Sequence, residues 1–315
     1  MKKLFISMLA VAALASCSNE QTLELNPGED ISFGGPFVEN STRAAVDPSY
    51  GAADNAQKLT EFNVWGTVSG GNVLVAIFNN TPVKGTTGEN SVWNTQGVTQ
   101  YWIKDAIYNF AALVNAADKV ALDDETKLPK EVVNFAADGA TDLLYAKSDA
   151  DILGKASGND EVAFTFDHLL SKVKFTVING SQSATGYSFK VNNIVVNGNS
   201  VGTCEVPAKT WKNLGTPKVY NVEEIAVDNT TASQECAQEL LLIPGEYDIT
   251  FSVDIYNGGV KLGTQAYPVD GTTYKQTLAV GNAYNFQINV AVGEEITFTV
   301  EKEPTWTVNT GTSLN

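Results

Sequence analysis

Tyr247-Asp248-Ile249-Thr250-Phe251-Ser252-Val253-Asp254-Ile255 sets an apolar residue at every odd position and a polar one at every even position. Successive side chains of a strand point to opposite faces, so this alternation describes an antiparallel strand with one face in a core and the other in water. Tyr284, Phe286, Ile288, Val290 and Val292 repeat the pattern against Asn285, Gln287 and Asn289. Val162, Phe164 and Phe166 do so again, as do Val173, Phe175 and Val177 opposite Lys172, Lys174 and Thr176. Further strands are expected at residues 62–68, 73–78, 100–103, 143–146, 187–196 and 274–280. Turn-forming clusters punctuate them, among them Asn197-Gly198, Pro244-Gly245 and Asn257-Gly258-Gly259. Many short strands at this spacing predict an all-β chain built of β-sandwiches.

Residues 106–120 admit two readings. Ile107, Phe110, Ala111 and Val114 would share a helix face, whereas Tyr108, Phe110, Ala112 and Val114 would share a strand face. The strand is the reading adopted. The polar, glycine-containing segment 148–160 is expected to connect two domains, at 44–155 and 156–293. With 315 residues and 43% hydrophobic composition the chain can build two such cores.

Both ends are unusual. Lys2 and Lys3 precede an apolar run over residues 4–14, closed by Leu14-Ala15-Ser16-Cys17. This reads as a lipoprotein signal over residues 1–16, with Cys17 as the lipidated N-terminus; an ordinary secretory signal that contains a cysteine is the other reading. The run is too short to span a bilayer of about 30 Å, which takes about 20 residues. Residues 17–43 form a propeptide-like, strand-like segment. Leu23 and Leu25, then Ile31 and Phe33, alternate around Asn26-Pro27-Gly28, and the segment ends in Ser41-Thr42-Arg43-Ala44-Ala45. In the tail, residues 294–315, Ile296, Phe298 and Val300 alternate with Thr297, Thr299 and Glu301, and Trp306 and Val308 resume the alternation after Pro304. The tail lies beyond the strand expected to complete the second domain.

A formal charge of -16 argues against nucleic acid, which is bound through clustered Lys and Arg. With Cys17 acylated, Cys204 and Cys236 remain, either as a disulfide permitted outside the cytosol or as two buried thiols. Gly198-Asn199-Ser200-Val201-Gly202 matches a nucleophile-elbow pattern but lacks the following helix, and the lone His168 precedes Ser200. A hairpin turn explains the motif, His168 reads as a structural polar residue, and no catalytic residue, cofactor or metal site is expected. Asp149, Asp151, Asp160 and Glu161 suit calcium by chemistry but fail the EF-hand register at Leu153, which favours a solvated acidic loop. Trp65, Trp93, Trp102, Trp211 and Trp306 could furnish a sugar platform, although scattered tryptophans in a β-protein are mostly core.

The combination resembles the fimbrillins of Bacteroidetes, subunits of protease-activated fimbriae. The resemblance rests on the lipobox, the strand-like prosegment, the Arg43-Ala44 junction and the alternating tail. Three local stretches add to it: Phe62-Asn63-Val64-Trp65-Gly66, Trp102-Ile103-Lys104-Asp105-Ala106-Ile107-Tyr108-Asn109-Phe110 and Phe166-Asp167-His168-Leu169-Leu170-Ser171-Lys172-Val173. It implies two tandem sandwiches of Greek-key, transthyretin-like type and a precursor held at the outer membrane by its lipid. It implies cleavage after Arg43 by an arginine-specific protease, and polymerisation through a donor strand carrying Ile296, Phe298, Val300, Trp306 and Val308. Other fimbrillin subunits are the implied partners, with a host or bacterial surface ligand for adhesion. A surface lipoprotein that binds glycans without polymerising, and a secreted hydrolase, are the readings from other classes.

Overall fold

The computed structural model describes residues 25–34, 37–38, 59–71, 73–85, 93–182, 184, 186–269 and 271–303. Strands make up nearly all of the regular structure, and the only helical element among the described residues is the short 3₁₀ turn Ala117–Lys119.

An eight-stranded sheet dominates the first half, and the two-stranded sheet Leu25–Asp30, Tyr101–Ile103 packs on it through Trp102, which meets Tyr108 and Phe110, to make the first sandwich. The order of the larger sheet is Phe37–Val38, Thr165–His168, Leu144–Lys147, Ile107–Val114, Glu61–Gly70, Val73–Gly85, Trp93–Thr95, with Ile152–Leu153 also on Ile107–Val114. One face carries Phe62, Val64, Phe78, Phe110, Ala112, Phe164 and Phe166 into a first core. The other carries Trp65, Ala111, Leu113 and Tyr145 into a separate core. Cover on both faces is why residues 110–114 are buried without a break and why their pattern fitted two periods.

The second half is a sandwich of two sheets. A five-stranded sheet runs Ser233–Glu235, Ser171–Asn179, Ala283–Val290, Thr297–Glu303, with Leu240–Leu242 also on Ser171–Asn179. A six-stranded sheet is centred on Tyr187–Asn199 and Gly245–Asn257, with Val260–Tyr267 at one edge. Val173, Phe175, Phe189, Val191, Ile249, Phe251, Phe286 and Ile288 fill the space between them. Ser171–Asn179 and Ala283–Val290 pair in parallel. Alternation is the same in either direction, so sequence does not distinguish this from an antiparallel pair.

Segment 148–160 packs on the first sandwich: Ile152–Leu153 pairs with Ile107–Val114, and Ser148 Oγ donates to the Phe110 carbonyl at 3.3 Å. The chain crosses between sandwiches at residues 168–171, where Leu169 and Leu170 are fully buried. A four-stranded sheet, Thr210–Lys212, Val201–Glu205, Pro129–Ala136, Val120–Leu122, takes strands from both halves and so ties them together.

Candidate functional site: two aromatic-centred edge strands

Two side chains of the N-terminal segment lie inside the first sandwich. Ile31 and Phe33 are 4% and 1% exposed. The Phe33 ring meets Phe62, Phe78, Phe110 and Phe164 at centroid distances of 6.1, 5.7, 6.0 and 5.8 Å. Offset and edge-on contacts at these distances add to the apolar burial itself. Backbone bonds hold the segment on both sides: Ile31 N donates to Gln100 O at 2.8 Å, Val162 N to Ser32 O at 2.9 Å and Gly34 N to Val162 O at 3.0 Å. Upstream, Leu25–Asp30 pairs with Tyr101–Ile103; downstream, Phe37–Val38 pairs in parallel with Thr165–His168. The Glu29 carboxylate accepts from Gly158 N, from Asn159 N at 3.1 Å and from Asn159 Nδ2. Those bonds, Asn159's side chain foremost, hold Glu29 below the ordinary glutamate range.

The terminal strand Thr297–Glu303 forms a matching arrangement in the second sandwich. It occupies the edge of the five-stranded sheet, antiparallel to Ala283–Val290, with Phe298 opposite Ile288 and Val300 opposite Phe286. Phe298 lies among Phe251, Tyr267, Tyr274 and Phe286 at 5.7, 5.6, 4.8 and 5.6 Å. Lys174 Nζ contacts Glu303 Oε1 at 2.6 Å and Glu235 Oε2 at 3.2 Å, and Gln287 Nε2 donates to Glu301 Oε2 at 2.7 Å. Burial pulls the Lys174 pKa down, but Glu303 and Glu235 outweigh it and hold the ammonium above its ordinary value. The expectation that residues 294–315 lie beyond the second sandwich is therefore corrected for Ile296, Phe298 and Val300, which complete its core. The strand after Val290 turns back onto its own sheet because Phe298 has an aromatic pocket there to fill.

The fimbrillin-like family profile matches residues 42–304. The chain belongs to the fimbrillin-like family. Its members are structural and adhesion proteins of fimbriae, not enzymes. Among solved structures, a fimbrial protein from Bacteroides vulgatus superimposes with a TM-score of 0.55 at 13% identity, covering 89% of this chain and 100% of that one. A Bacteroides ovatus protein assigned to cell adhesion gives 0.50 at 16% identity, covering 92% and 100%. The fimbrial anchor protein Mfa2 from Porphyromonas gingivalis gives 0.36 at 14% identity, covering 86% and 96%. No curated protein matches the chain significantly.

Other sequence-singled residues of this fimbrillin-like chain fall into place around these strands. Cys17, Arg43, Ala44, Trp306 and Val308 lie outside the described residues. A Cys204–Cys236 disulfide is not formed: both thiols are free and buried, Cys204 in the strand Val201–Glu205 of the four-stranded sheet and Cys236 in the second sandwich. Burial pushes the Cys204 thiol up to about 12. His168 Nδ1 pairs with the buried Asp142 carboxylate. Ser200 precedes the strand Val201–Glu205 rather than a helix, so the elbow geometry fails. Trp65, Trp93 and Trp102 are each 2% exposed, and Trp211 Nε1 donates to Leu169 O at 2.8 Å, so these four serve packing and no platform. Asp151 Oδ1 accepts from Asn109 and Asp160 pairs with Lys155; among the described residues no three His, Cys, Asp or Glu side chains converge on a metal position.

Proposed function

We propose that this chain is a structural subunit of cell-surface fimbriae, made as a lipoprotein precursor acylated at Cys17 and activated by an arginine-specific protease that cuts between Arg43 and Ala44. Cleavage releases residues 17–43, and the terminal segment of another copy, carrying Ile296, Phe298, Val300, Trp306 and Val308, fills the vacated groove. The observation that carries this reading is the burial of Phe33 among four aromatic rings, because Phe33 stands N-terminal to Arg43. Once cut, the segment is held only by non-covalent contacts, and its departure leaves an apolar pocket and unpaired backbone groups that an incoming strand satisfies.

Thr297–Glu303 supports the donor side of the reading by its place at a sheet edge. It can peel away without any other strand having to leave first, although release exposes the Phe298 pocket in the donor's own second sandwich. Ile and Phe burial contributes about 1.5 to 3 kcal/mol per side chain, so the exchange is of one buried strand for another rather than of a free tail for a bound one. A tail-to-groove contact is heterologous and does not close on itself, which gives a linear polymer, a product that requires no active site.

The test is Arg43→Ala in the full precursor, followed by treatment with a trypsin-like protease and sedimentation. The wild type is expected to polymerise and the variant to stay monomeric, because its plug remains tethered at high effective concentration. Equal polymer from both would overturn the reading.

A further inference from the structure

Two hexapeptides near opposite ends of the chain are almost the same. One is Gly28-Glu29-Asp30-Ile31-Ser32-Phe33 and the other Gly293-Glu294-Glu295-Ile296-Thr297-Phe298. The two differences, Asp for Glu and Ser for Thr, keep charge and hydroxyl. Their burial matches as well: Ile31 and Ile296 are 4% and 5% exposed, Phe33 and Phe298 1% and 9%, while Asp30 and Glu295 face solvent. Each phenylalanine sits among four aromatic rings of its own sandwich.

We infer that residues 28–33 hold the groove in the register that residues 293–298 of a second copy adopt after cleavage. Phe298 then takes the place of Phe33, Ile296 that of Ile31, and the Glu294 carboxylate takes the amides of Gly158 and Asn159 that Glu29 holds in the precursor. The inference rests on the strand-exchange reading above and adds its register and its polar recognition group. Glu294 is exposed in its own sandwich, so its carboxylate is available for that cradle.

Strand direction agrees. Leu25 pairs with Ile103, whose carbonyl lies against Gly154, and the neighbouring Leu153 pairs with Ile107 at one end of the large sheet. The opposite end of that sheet, at Leu144, Val114 and His168, leads into the second sandwich. The plug therefore runs from the outer end of the first sandwich toward the junction. In the second sandwich Glu303 pairs with Ala283, opposite Lys172 and so near the junction, whereas Thr297 pairs with Asn289 toward the outer end. A terminal strand that peels off pivots about residues 291–293 and leaves from the outer end of the second sandwich. There it meets the open end of the next copy's groove and enters in the direction of the plug. Gly293 has φ +76° in the turn, while Gly28 lies within a strand; glycine adopts both, so residue 293 can serve as turn in one state and strand in the other.

Downstream of the shared hexapeptide the two segments part. Phe33 is followed by Gly34 and Gly35, Phe298 by Thr299 and Val300. A Cβ at position 34 would meet Glu161 Oε2 at 3.4 Å, Glu161 Cβ at 3.8 Å and the Val162 carbonyl oxygen at 3.9 Å, ordinary contacts that leave room for Thr299. Thr and Val favour a strand where Gly disfavours it, so the incoming segment outcompetes the plug once the tether is cut.

Cysteine pairs read the register. Asp30 and Tyr101 are cross-strand partners, so Asp30→Cys with Tyr101→Cys should close within the uncleaved chain as a control. Glu295→Cys with Tyr101→Cys should give a ladder of disulfide-linked multimers after cleavage and oxidation, and Thr297→Cys with Tyr101→Cys should not. A ladder from Thr297→Cys with Tyr101→Cys, and none from Glu295→Cys with Tyr101→Cys, would overturn this register and leave strand exchange standing, whereas cleaved wild type that forms no polymer would overturn both. Glu294→Gln, and separately Asn159→Asp, should each slow assembly by about tenfold through loss of a charge-assisted hydrogen bond. Unchanged assembly rates in both would overturn the Glu294 contact.

Discussion

Phe33 stacks on Phe164, their ring centroids 5.8 Å apart and their planes 11° from parallel. One ring belongs to the segment upstream of Arg43 and the other to the body of the first sandwich. The core of the first sandwich is thus completed by residues that the proposed cleavage would remove.

Replacing Phe33 by Ala in the uncleaved protein should destabilise the first sandwich by about 3 to 5 kcal/mol, the range for truncating a buried aromatic side chain. Phe33→Leu should lose less. Urea unfolding checks this, and an effect of Phe33→Ala within about 0.5 kcal/mol, the scale of an ordinary surface substitution, would show that the segment is not part of the core.

Phe298→Ala should destabilise the second sandwich by a similar amount of about 3 to 5 kcal/mol before any assembly. Thr297→Ala, on the exposed face of the same strand, should change stability little. Removal of residues 294–315 should accordingly lower the unfolding midpoint rather than leave it untouched, since Phe251, Tyr267, Tyr274 and Phe286 all lose their contact with Phe298.

The alternating strands at residues 173–177, 187–196, 247–255 and 284–290 were legible because each sets apolar side chains on a core face and mostly polar ones on the other. The strands of the four-stranded sheet were not. Val120–Leu122 and Thr210–Lys212 are too short to show a period, and Val201–Glu205 is buried at three consecutive positions, Gly202 to Cys204. The pairing of residues 201–205 with residues 131–136 is a contact between distant parts of the chain that no local pattern encodes. At the candidate site, Ile31 and Phe33 were readable as a strand and Ile296 and Phe298 as another. Comparing the two ends directly would have exposed the shared hexapeptide; reading each for its own alternation did not. That the terminal strand folds back could not be read from alternation, which is identical for a free donor and an edge strand in place.

The plug should loosen in acid. Glu29 titrates below its ordinary value, so its contribution is present above the ordinary glutamate pKa of about 4.3 and is lost as pH falls through the depressed folded value. Amide NMR shifts of Gly158 and Asn159 should follow that low midpoint, and Glu29→Gln should abolish the transition. An unaltered transition in the variant would assign it elsewhere.

The terminal strand should loosen in alkali. Lys174 titrates above its ordinary value, so its stabilisation is complete below the unfolded lysine pKa of about 10.4 and disappears as pH rises through the higher folded value. Urea midpoints of wild type and Lys174→Gln should converge over that alkaline range. A constant difference between them would show that Glu303 and Glu235 do not act through the ammonium charge.

The N-terminal residue of the subunit in filaments recovered from cells tests the central claim most directly. Mass spectrometry of filament protein should find Ala44 at the N-terminus, with Ile31, Phe33 and the lipid on Cys17 all absent. Filaments whose subunits retain residues 18–43 would contradict the account, because the groove would then still hold its own plug.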